Sequence, residues 1–127
     1  MKKLNNFKVL IVDDDSDLLA LVSEHFLIAG AKVEVATGGY EAINLIKAKH
    51  FDFILSDMRM PNGDGRFLAE EVFKITGPKP LFFLYTAYND INKKELAELG
   101  ILQVFAKPFI ASEMIDSIAC KIERTYL

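Results

Sequence analysis

The feature that most constrains the fold is a regular alternation of two kinds of segment along the chain. Short apolar segments rich in β-branched and aromatic residues predict five strands, at residues 7–12, 32–36, 51–56, 81–85 and 103–106. Segments with apolar residues at helical spacing predict five helices, at residues 16–29, 40–49, 65–75, 91–99 and 111–124. Because strand and helix alternate, we expect parallel strands joined by right-handed crossovers.

The composition of the predicted strands indicates that helices cover both faces of the sheet. Residues 7–12, 51–56 and 81–85 are nearly continuous apolar runs, as expected of strands that are buried on both faces. Residues 32–36 alternate between apolar and polar side chains, which suits an edge strand. The sequence therefore predicts an α/β fold with a doubly wound parallel sheet, in which ligands bind beyond the carboxyl ends of the strands.

Length and composition predict one domain, residues 1–127, with a sizeable core, since 51% of the residues are hydrophobic. The net charge of −3 comes without a basic stripe, so direct nucleic-acid binding is not expected. Apolar stretches are too short to span a membrane, and residues 1–6 lack the apolar core of a signal peptide. The single cysteine, Cys120, excludes an internal disulfide and fits a reducing compartment, so we expect a cytoplasmic location.

Polar residues stand at the carboxyl ends of four predicted strands: Asp13–Asp15, Asp57, Thr86 and Lys107. On a doubly wound sheet these ends converge, so the carboxylates would repel one another unless a cation lies among them. Oxygen ligands with water favour a hard cation such as Mg²⁺. A bound Mg²⁺ with open positions attracts phosphate, whose oxygens a lysine and a threonine can bind.

These residues resemble the motifs of the receiver domain of two-component response regulators, the CheY-like family. The resemblance is carried by Asp-Asp at 13–14, D-x-x-M-P-x-x-x-G at 57–65, Thr-Ala at 86–87 and Lys-Pro-Phe at 107–109. The four motifs occur in order, and the resemblance covers essentially the whole chain. It implies a flavodoxin-like three-layer sandwich with a five-stranded parallel sheet of order 2-1-3-4-5.

The resemblance also implies the roles of the site residues. Asp57 would accept a phosphoryl group, and Mg²⁺ would be bound by Asp14, by Asp57 and by the backbone carbonyl of Arg59. Asp13 would contribute through water. The turn residues of the loop, among them Pro61, would place the Arg59 carbonyl toward the metal.

Thr86 and Lys107 would contact the aspartyl phosphate, according to the same resemblance. It implies a sensor histidine kinase or a phosphotransfer protein as phosphodonor, and a downstream protein or output domain as the target. The resemblance also allows a homodimer of this chain that forms on phosphorylation. Beyond its own phosphoryl transfer and hydrolysis, such a domain is not expected to be an enzyme.

Two features depart from the family pattern or vary within it. The family usually has an aromatic residue three positions before its lysine, where this chain has Val104, followed by Phe105. The resemblance therefore does not carry the usual aromatic switch over to this chain, although Thr86 can still move toward a phosphate. Two positions that tune phosphorylation and dephosphorylation rates in the family are Arg59 and Tyr88, which we expect at the rim of the site.

Each motif also has a structural interpretation. Asp57 could be a solvated loop acid, and Asp13 and Asp14 could cap the first helix, although Asp15 or Ser16 is better placed for capping. Lys107 could be an ordinary surface lysine, and Thr86 could simply fill its strand. We expect both histidines, His25 and His50, to lie on the surface.

Two other functions are worth comparing. Phosphatases resembling the haloacid dehalogenases carry D-x-D, in which the second Asp protonates the leaving group, but this chain has Arg59 there. A flavodoxin-like or dinucleotide-binding module needs a phosphate-binding loop rich in Gly or Ser/Thr after the first strand. Here three aspartates follow that strand and would repel a nucleotide phosphate.

Overall fold

The computed structural model describes residues 3–87 and 92–126, in which five strands and five helices alternate. The strands are β1 Lys8–Val12, β2 Lys32–Ala36, β3 Phe53–Asp57, β4 Leu81–Thr86 and β5 Ile101–Ala106. The helices are α1 Ser16–Ile28, α2 Gly39–Ala48, α3 Gly65–Phe73, α4 Lys93–Glu98 and α5 Ala111–Tyr126. Every predicted strand and helix is confirmed, with ends that differ by at most two residues. The predicted start of the fourth helix, residue 91, lies outside the described residues.

The five strands form one parallel sheet in the order β2-β1-β3-β4-β5. The predicted edge position of β2 is therefore confirmed. The register sets Val12 beside Ser56 and Asp57 beside Tyr85, so the chain leaves β1, β3 and β4 at nearly the same level. This alignment brings the polar residues at the strand ends together.

Two hydrophobic cores lie on opposite faces of the sheet and confirm the three-layer architecture. On one face, Val9 and Ile11 of β1 pack with α1 and α5. On the other face, Leu10 and Val12 of the same strand pack with α2 and α3, and the partly buried Leu96 of α4 packs against them. Alternate residues of a strand point to opposite faces, so a strand covered on both sides must be apolar throughout.

Local signals set the helix ends close to the site. The Asp15 carboxylate accepts hydrogen bonds from the backbone of Asp17 and Leu18, which makes Asp15 the N-cap of α1 as one of the two predicted candidates. Gly30 follows the helix at a φ of 95°, the left-handed conformation that ends many helices. Both histidines are exposed, as predicted. Within the described residues, no helix combines the length and the apolar character needed to cross a lipid bilayer.

Candidate functional site

Asp13 is the first residue after β1, and its side chain is buried and held by two donors. Its Oδ1 accepts a hydrogen bond from the backbone N–H of Asp15 at 2.9 Å. Its Oδ2 accepts a hydrogen bond from the Tyr85 hydroxyl at 2.6 Å. Asp14 is exposed, while Asp15 caps α1, so the three consecutive aspartates have three different environments.

Asp57 is the last residue of β3 and is only 8% exposed. Its Oδ1 accepts a hydrogen bond from the backbone N–H of Met58 at 2.8 Å. Its Oδ2 lies 3.2 Å from the Nζ of Lys107. The strand therefore ends with a carboxylate whose two oxygens are already oriented, which excludes the alternative of a solvated loop acid.

The carboxylates of Asp13, Asp14 and Asp57 form a cluster, in which one oxygen from each lies within 4.8 Å of the others. Three carboxylate oxygens at this spacing fit a hard divalent cation such as Mg²⁺, which also retains water ligands. Burial raises the pKa of the Asp57 carboxyl above its ordinary value, Lys107 opposes this rise, and the Asp13 carboxylate adds to it. A cation in the cluster would counter the repulsion that contributes to this rise.

Lys107 follows β5 and connects the remaining strand ends to the cluster. Its backbone N–H donates to the carbonyl oxygen of Thr86 at 2.9 Å, and its peptide bond to Pro108 is cis. Its Nζ lies 3.9 Å from Oδ2 of Asp13 in addition to its contact with Asp57. Thr86 is the last residue of β4 and is 3% exposed. The structure therefore brings together Asp13, Asp14, Asp57 and Lys107 directly, and it places Thr86 next to Lys107 through the backbone.

The loop between β3 and α3 is shaped by its turn residues and by close packing. Asn62 and Gly63 have positive φ values of 59° and 94°, and their carbonyl oxygens accept hydrogen bonds from the backbone at the start of α2. Gly65 donates its N–H to the carbonyl oxygen of Met58 at 2.8 Å, and a Cβ on Gly65 would lie 2.5 Å from the carbonyl oxygen of Asp57. The loop thus folds back tightly beneath the phosphoacceptor candidate.

The sequence predicts Arg59 and Tyr88 at the rim of the site. Arg59 lies in this loop with an exposed side chain. Tyr88 lies outside the described residues. The metal role of the Arg59 carbonyl and the rate-tuning roles of both side chains remain predictions.

Tyr85 is the site residue that sequence analysis missed, because a tyrosine in the segment LFFLY follows the same apolar pattern as its phenylalanine neighbours. Its ring is fully buried, yet its hydroxyl contacts Asp13. Burial, followed by the hydrogen bond to the Asp13 carboxylate, raises the pKa of the Tyr85 hydroxyl far above its ordinary value, so the group is a neutral donor. The sequence signal that could have identified Tyr85 is its hydroxyl, since a buried tyrosine usually needs a hydrogen-bond partner.

Val104 and Phe105 lie on opposite faces of β5. Val104 packs against the core formed with α2 and α3, whereas Phe105 packs against the core formed with α1 and α5. In the core formed with α1 and α5, the centroid of the Phe105 ring lies 6.3 Å from that of Phe83. Phe105 therefore does not replace the missing aromatic at position 104, which agrees with the departure noted from the sequence.

Comparisons with known proteins agree with this arrangement. A family model described as the response regulator receiver domain matches residues 9–119. Sporulation initiation phosphotransferase F of Bacillus subtilis (strain 168) is 32% identical over 114 residues, covering 89% of this chain and 91% of that protein. The receiver domain of the Francisella response regulator 1452 is 31% identical with a TM-score of 0.85, covering 94% of this chain and 99% of that one. A CheY-like response regulator receiver domain protein from Methanospirillum hungatei JF-1 is 25% identical with a TM-score of 0.87, covering 94% and 96%.

Proposed function

Because this chain belongs to the response regulator receiver domain family of two-component signal transduction, we propose that Asp57 is its phosphoacceptor. The observation that supports this role is the buried Asp57 carboxylate, which lies in a cluster with two other carboxylates and 3.2 Å from the Lys107 ammonium. The same cluster is the proposed Mg²⁺ site, with Asp14 and Asp57 as direct ligands, Asp13 acting through water and the Arg59 carbonyl completing the protein ligands.

In the proposed reaction, an Asp57 carboxylate oxygen attacks the phosphorus of a phosphohistidine on a sensor kinase or phosphotransfer protein. A P–O bond forms as the P–N bond breaks, and the nitrogen keeps the electron pair of that bond. The histidine leaves as the neutral imidazole, with the proton that the other ring nitrogen of the phosphohistidine already carries. This transfer requires alignment and charge neutralisation more than acid–base assistance. Bound Mg²⁺ would supply positive charge beside the phosphoryl oxygens. Lys107 and Thr86 would bind those oxygens, one as a cation and the other as a hydroxyl donor.

A small phosphodonor tests the assignment directly. We expect acetyl phosphate with Mg²⁺ to add one phosphoryl group to the protein, as measured by intact-mass spectrometry, and Asp57→Asn to prevent the addition. Asp52→Asn is the matched control, because Asp52 immediately precedes the amino end of the same strand. Labelling of Asp57→Asn at the parent level would refute the assignment. Beryllofluoride, which mimics an acyl phosphate, should likewise bind the parent protein and not Asp57→Asn.

The receiver domain is a regulatory domain, and we propose that its chemistry is limited to its own phosphorylation and dephosphorylation. The position two residues after Asp57 is Arg59, a guanidinium that stays protonated and cannot deliver a proton to a leaving group. Turnover of a generic phosphomonoester such as p-nitrophenyl phosphate should therefore stay at the rate of a protein-free control. Turnover that Asp57→Asn abolishes would contradict this limit.

The cellular setting is a proposal of the same kind. The thiol of Cys120 is free and exposed, and such thiols persist in reducing compartments, which supports a cytoplasmic location. A downstream protein or output domain would respond to the phosphorylated form. Sedimentation with and without beryllofluoride would detect a phosphorylation-linked homodimer.

A further inference from the structure

A buried tyrosine hydroxyl contacts the carboxylate cluster from inside the protein. The Tyr85 hydroxyl donates to Oδ2 of Asp13 at 2.6 Å, within the range of charge-assisted hydrogen bonds between a hydroxyl and a carboxylate. Tyr85 and Asp13 are both 0% exposed, so water does not compete for this bond. Phenylalanine would satisfy the packing of β4 equally well, and the hydroxyl is the part of Tyr85 that contacts the cluster.

The ring of Tyr85 has two further contacts that fix its position. The Nζ of Lys107 lies 4.8 Å from the ring centroid, within the range of a cation–π interaction. The ring of Phe109 meets it edge-on with the centroids 5.6 Å apart. Tyr85 therefore contacts both Asp13, which follows β1, and Lys107, which follows β5.

We propose that Tyr85 is a positioning residue for the metal site and that it acts through Asp13; this inference rests on the proposed function. The Asp13 carboxylate is held at Oδ1 by the Asp15 backbone and at Oδ2 by Tyr85, so donors from two elements fix its plane. Without the hydroxyl, the carboxylate keeps only one of these donors and can rotate. Partners that orient the ligands of a metal typically change metal affinity by about tenfold or more when removed.

A purely structural role predicts a different result. If the hydroxyl served only to satisfy a buried carboxylate, its removal would lower the stability of the fold and leave Mg²⁺ affinity unchanged. Tyr85→Phe separates the two roles because it keeps the ring and removes only the hydroxyl. Tyr126→Phe is the matched control, since the Tyr126 hydroxyl donates to the carbonyl oxygen of Asp52, at the opposite end of the sheet.

The experiment measures the Mg²⁺ dissociation constant by isothermal titration calorimetry. We expect about a tenfold weaker constant for Tyr85→Phe and the parent value for Tyr126→Phe. In an Asp13→Asn background, Tyr85→Phe should have little further effect, because the two residues then no longer act together. An unchanged constant in Tyr85→Phe would overturn the proposal, as would a tighter constant or a full effect in the Asp13→Asn background.

A second measurement on the unmodified protein covers the case in which Tyr85→Phe does not fold. With ¹³C-labelled tyrosine, the Tyr85 Cζ resonance should shift along the Mg²⁺ titration while the Tyr126 resonance stays constant. A stationary Tyr85 resonance would overturn the inference. Failure of the proposed metal site itself gives a distinct result, since the unmodified protein would then not bind Mg²⁺ at all.

Discussion

The ammonium nitrogen of Lys107 lies 3.2 Å from Oδ2 of Asp57, and this contact joins the carboxyl ends of β3 and β5 across the intervening strand β4. The lysine opposes the effect of burial on Asp57, since it favours the ionised carboxylate that a nucleophile requires. The same ammonium is the proposed ligand of the phosphoryl group. Lys107 can therefore stabilise the ionised Asp57 carboxylate before the reaction and bind the phosphoryl group of the product afterwards.

Removing Lys107 should raise the pKa of Asp57 further, because the main opposing charge is lost. The pKa is measured from the pH dependence of the Asp57 carboxyl ¹³C shift in Lys107→Ala. Mg²⁺ affinity should remain close to that of the parent, because an ammonium is not a metal ligand, while the conformational response to beryllofluoride is lost. Lys74→Ala, which removes an exposed lysine paired with Glu71, should change none of these quantities. An unaltered Asp57 pKa in Lys107→Ala would show that the contact is electrostatically unimportant.

Asp57→Asn should stabilise the metal-free protein at neutral pH. The pKa of Asp57 is higher in the folded than in the unfolded chain, so ionisation costs stability as pH rises from the unfolded value of 3.8 through the folded value. At pH 7 the asparagine removes this cost, so we expect the free energy of unfolding to rise. Well below pH 3.8 this electrostatic difference should vanish, since the carboxyl is then neutral in both states. Urea unfolding at several pH values measures it, and a gain that is independent of pH would disprove the electrostatic origin.

Much of this site could be predicted from the sequence because each motif marks the end of a strand. Asp57 and Thr86 are the last residues of their strands, while Asp13 and Lys107 directly follow theirs. A parallel sheet must bring such residues to one edge, so the convergence follows from topology alone. The separate environments of Asp13, Asp14 and Asp15 could be predicted only in part, from the preference of aspartate for the N-cap.

The contact between Tyr85 and Asp13 could not be predicted, because it depends on the register between strands that are not adjacent. β1 and β4 are separated by β3, and the hydroxyl reaches Asp13 only because Val12 pairs with Ser56 while Asp57 pairs with Tyr85. A shift of one residue would move every side chain of the strand to the opposite face. Apolar patterning specifies which face is buried and carries no information on such a pairing.

Asp14 and Asp15 should respond to substitution in opposite ways. Asp14→Ala should weaken Mg²⁺ binding strongly and change stability little, since Asp14 is exposed and lies in the carboxylate cluster. Asp15→Ala should cost about 1 kcal/mol of stability through the lost N-cap, with Mg²⁺ affinity close to the parent value. Calorimetric titration with Mg²⁺ and urea unfolding of both variants measure the two quantities. Equal Mg²⁺ affinity for Asp14→Ala and the parent would exclude a ligand role for Asp14.

Gly65→Ala should damage the site through the backbone. A Cβ there would lie 2.5 Å from the carbonyl oxygen of Asp57 and 2.9 Å from the Cα of Met58, so β3 or α3 must move. We expect a loss of about 2 kcal/mol in the free energy of unfolding, within the range for overpacked sites, and slower phosphorylation by acetyl phosphate. Gly77→Ala is the control for the phosphorylation rate, because its φ of 80° makes a side chain strained there while nothing lies within 4 Å of its Cβ position. It should lower stability and leave the phosphorylation rate at the parent value. Phosphorylation of Gly65→Ala at the parent rate would show that the loop tolerates the displacement.

The lifetime of the phosphorylated state should depend on the two residues that the sequence predicts at the rim, Arg59 and Tyr88. An acyl phosphate is lost when water attacks the phosphorus opposite the Asp57 oxygen, so a side chain that covers this approach slows the loss. Arg59 is exposed in the loop directly after Asp57, and its guanidinium could stack on the face of a tyrosine ring. We therefore expect Arg59→Ala and Tyr88→Ala each to speed dephosphorylation several-fold, measured as the decay of the phosphorylated mass after acetyl phosphate is removed. Arg124→Ala, in the last turn of α5, is the control for the loss of an arginine. If both rim variants decay at the parent rate, these side chains do not shield the phosphate, and its lifetime is set by the residues that contact it directly.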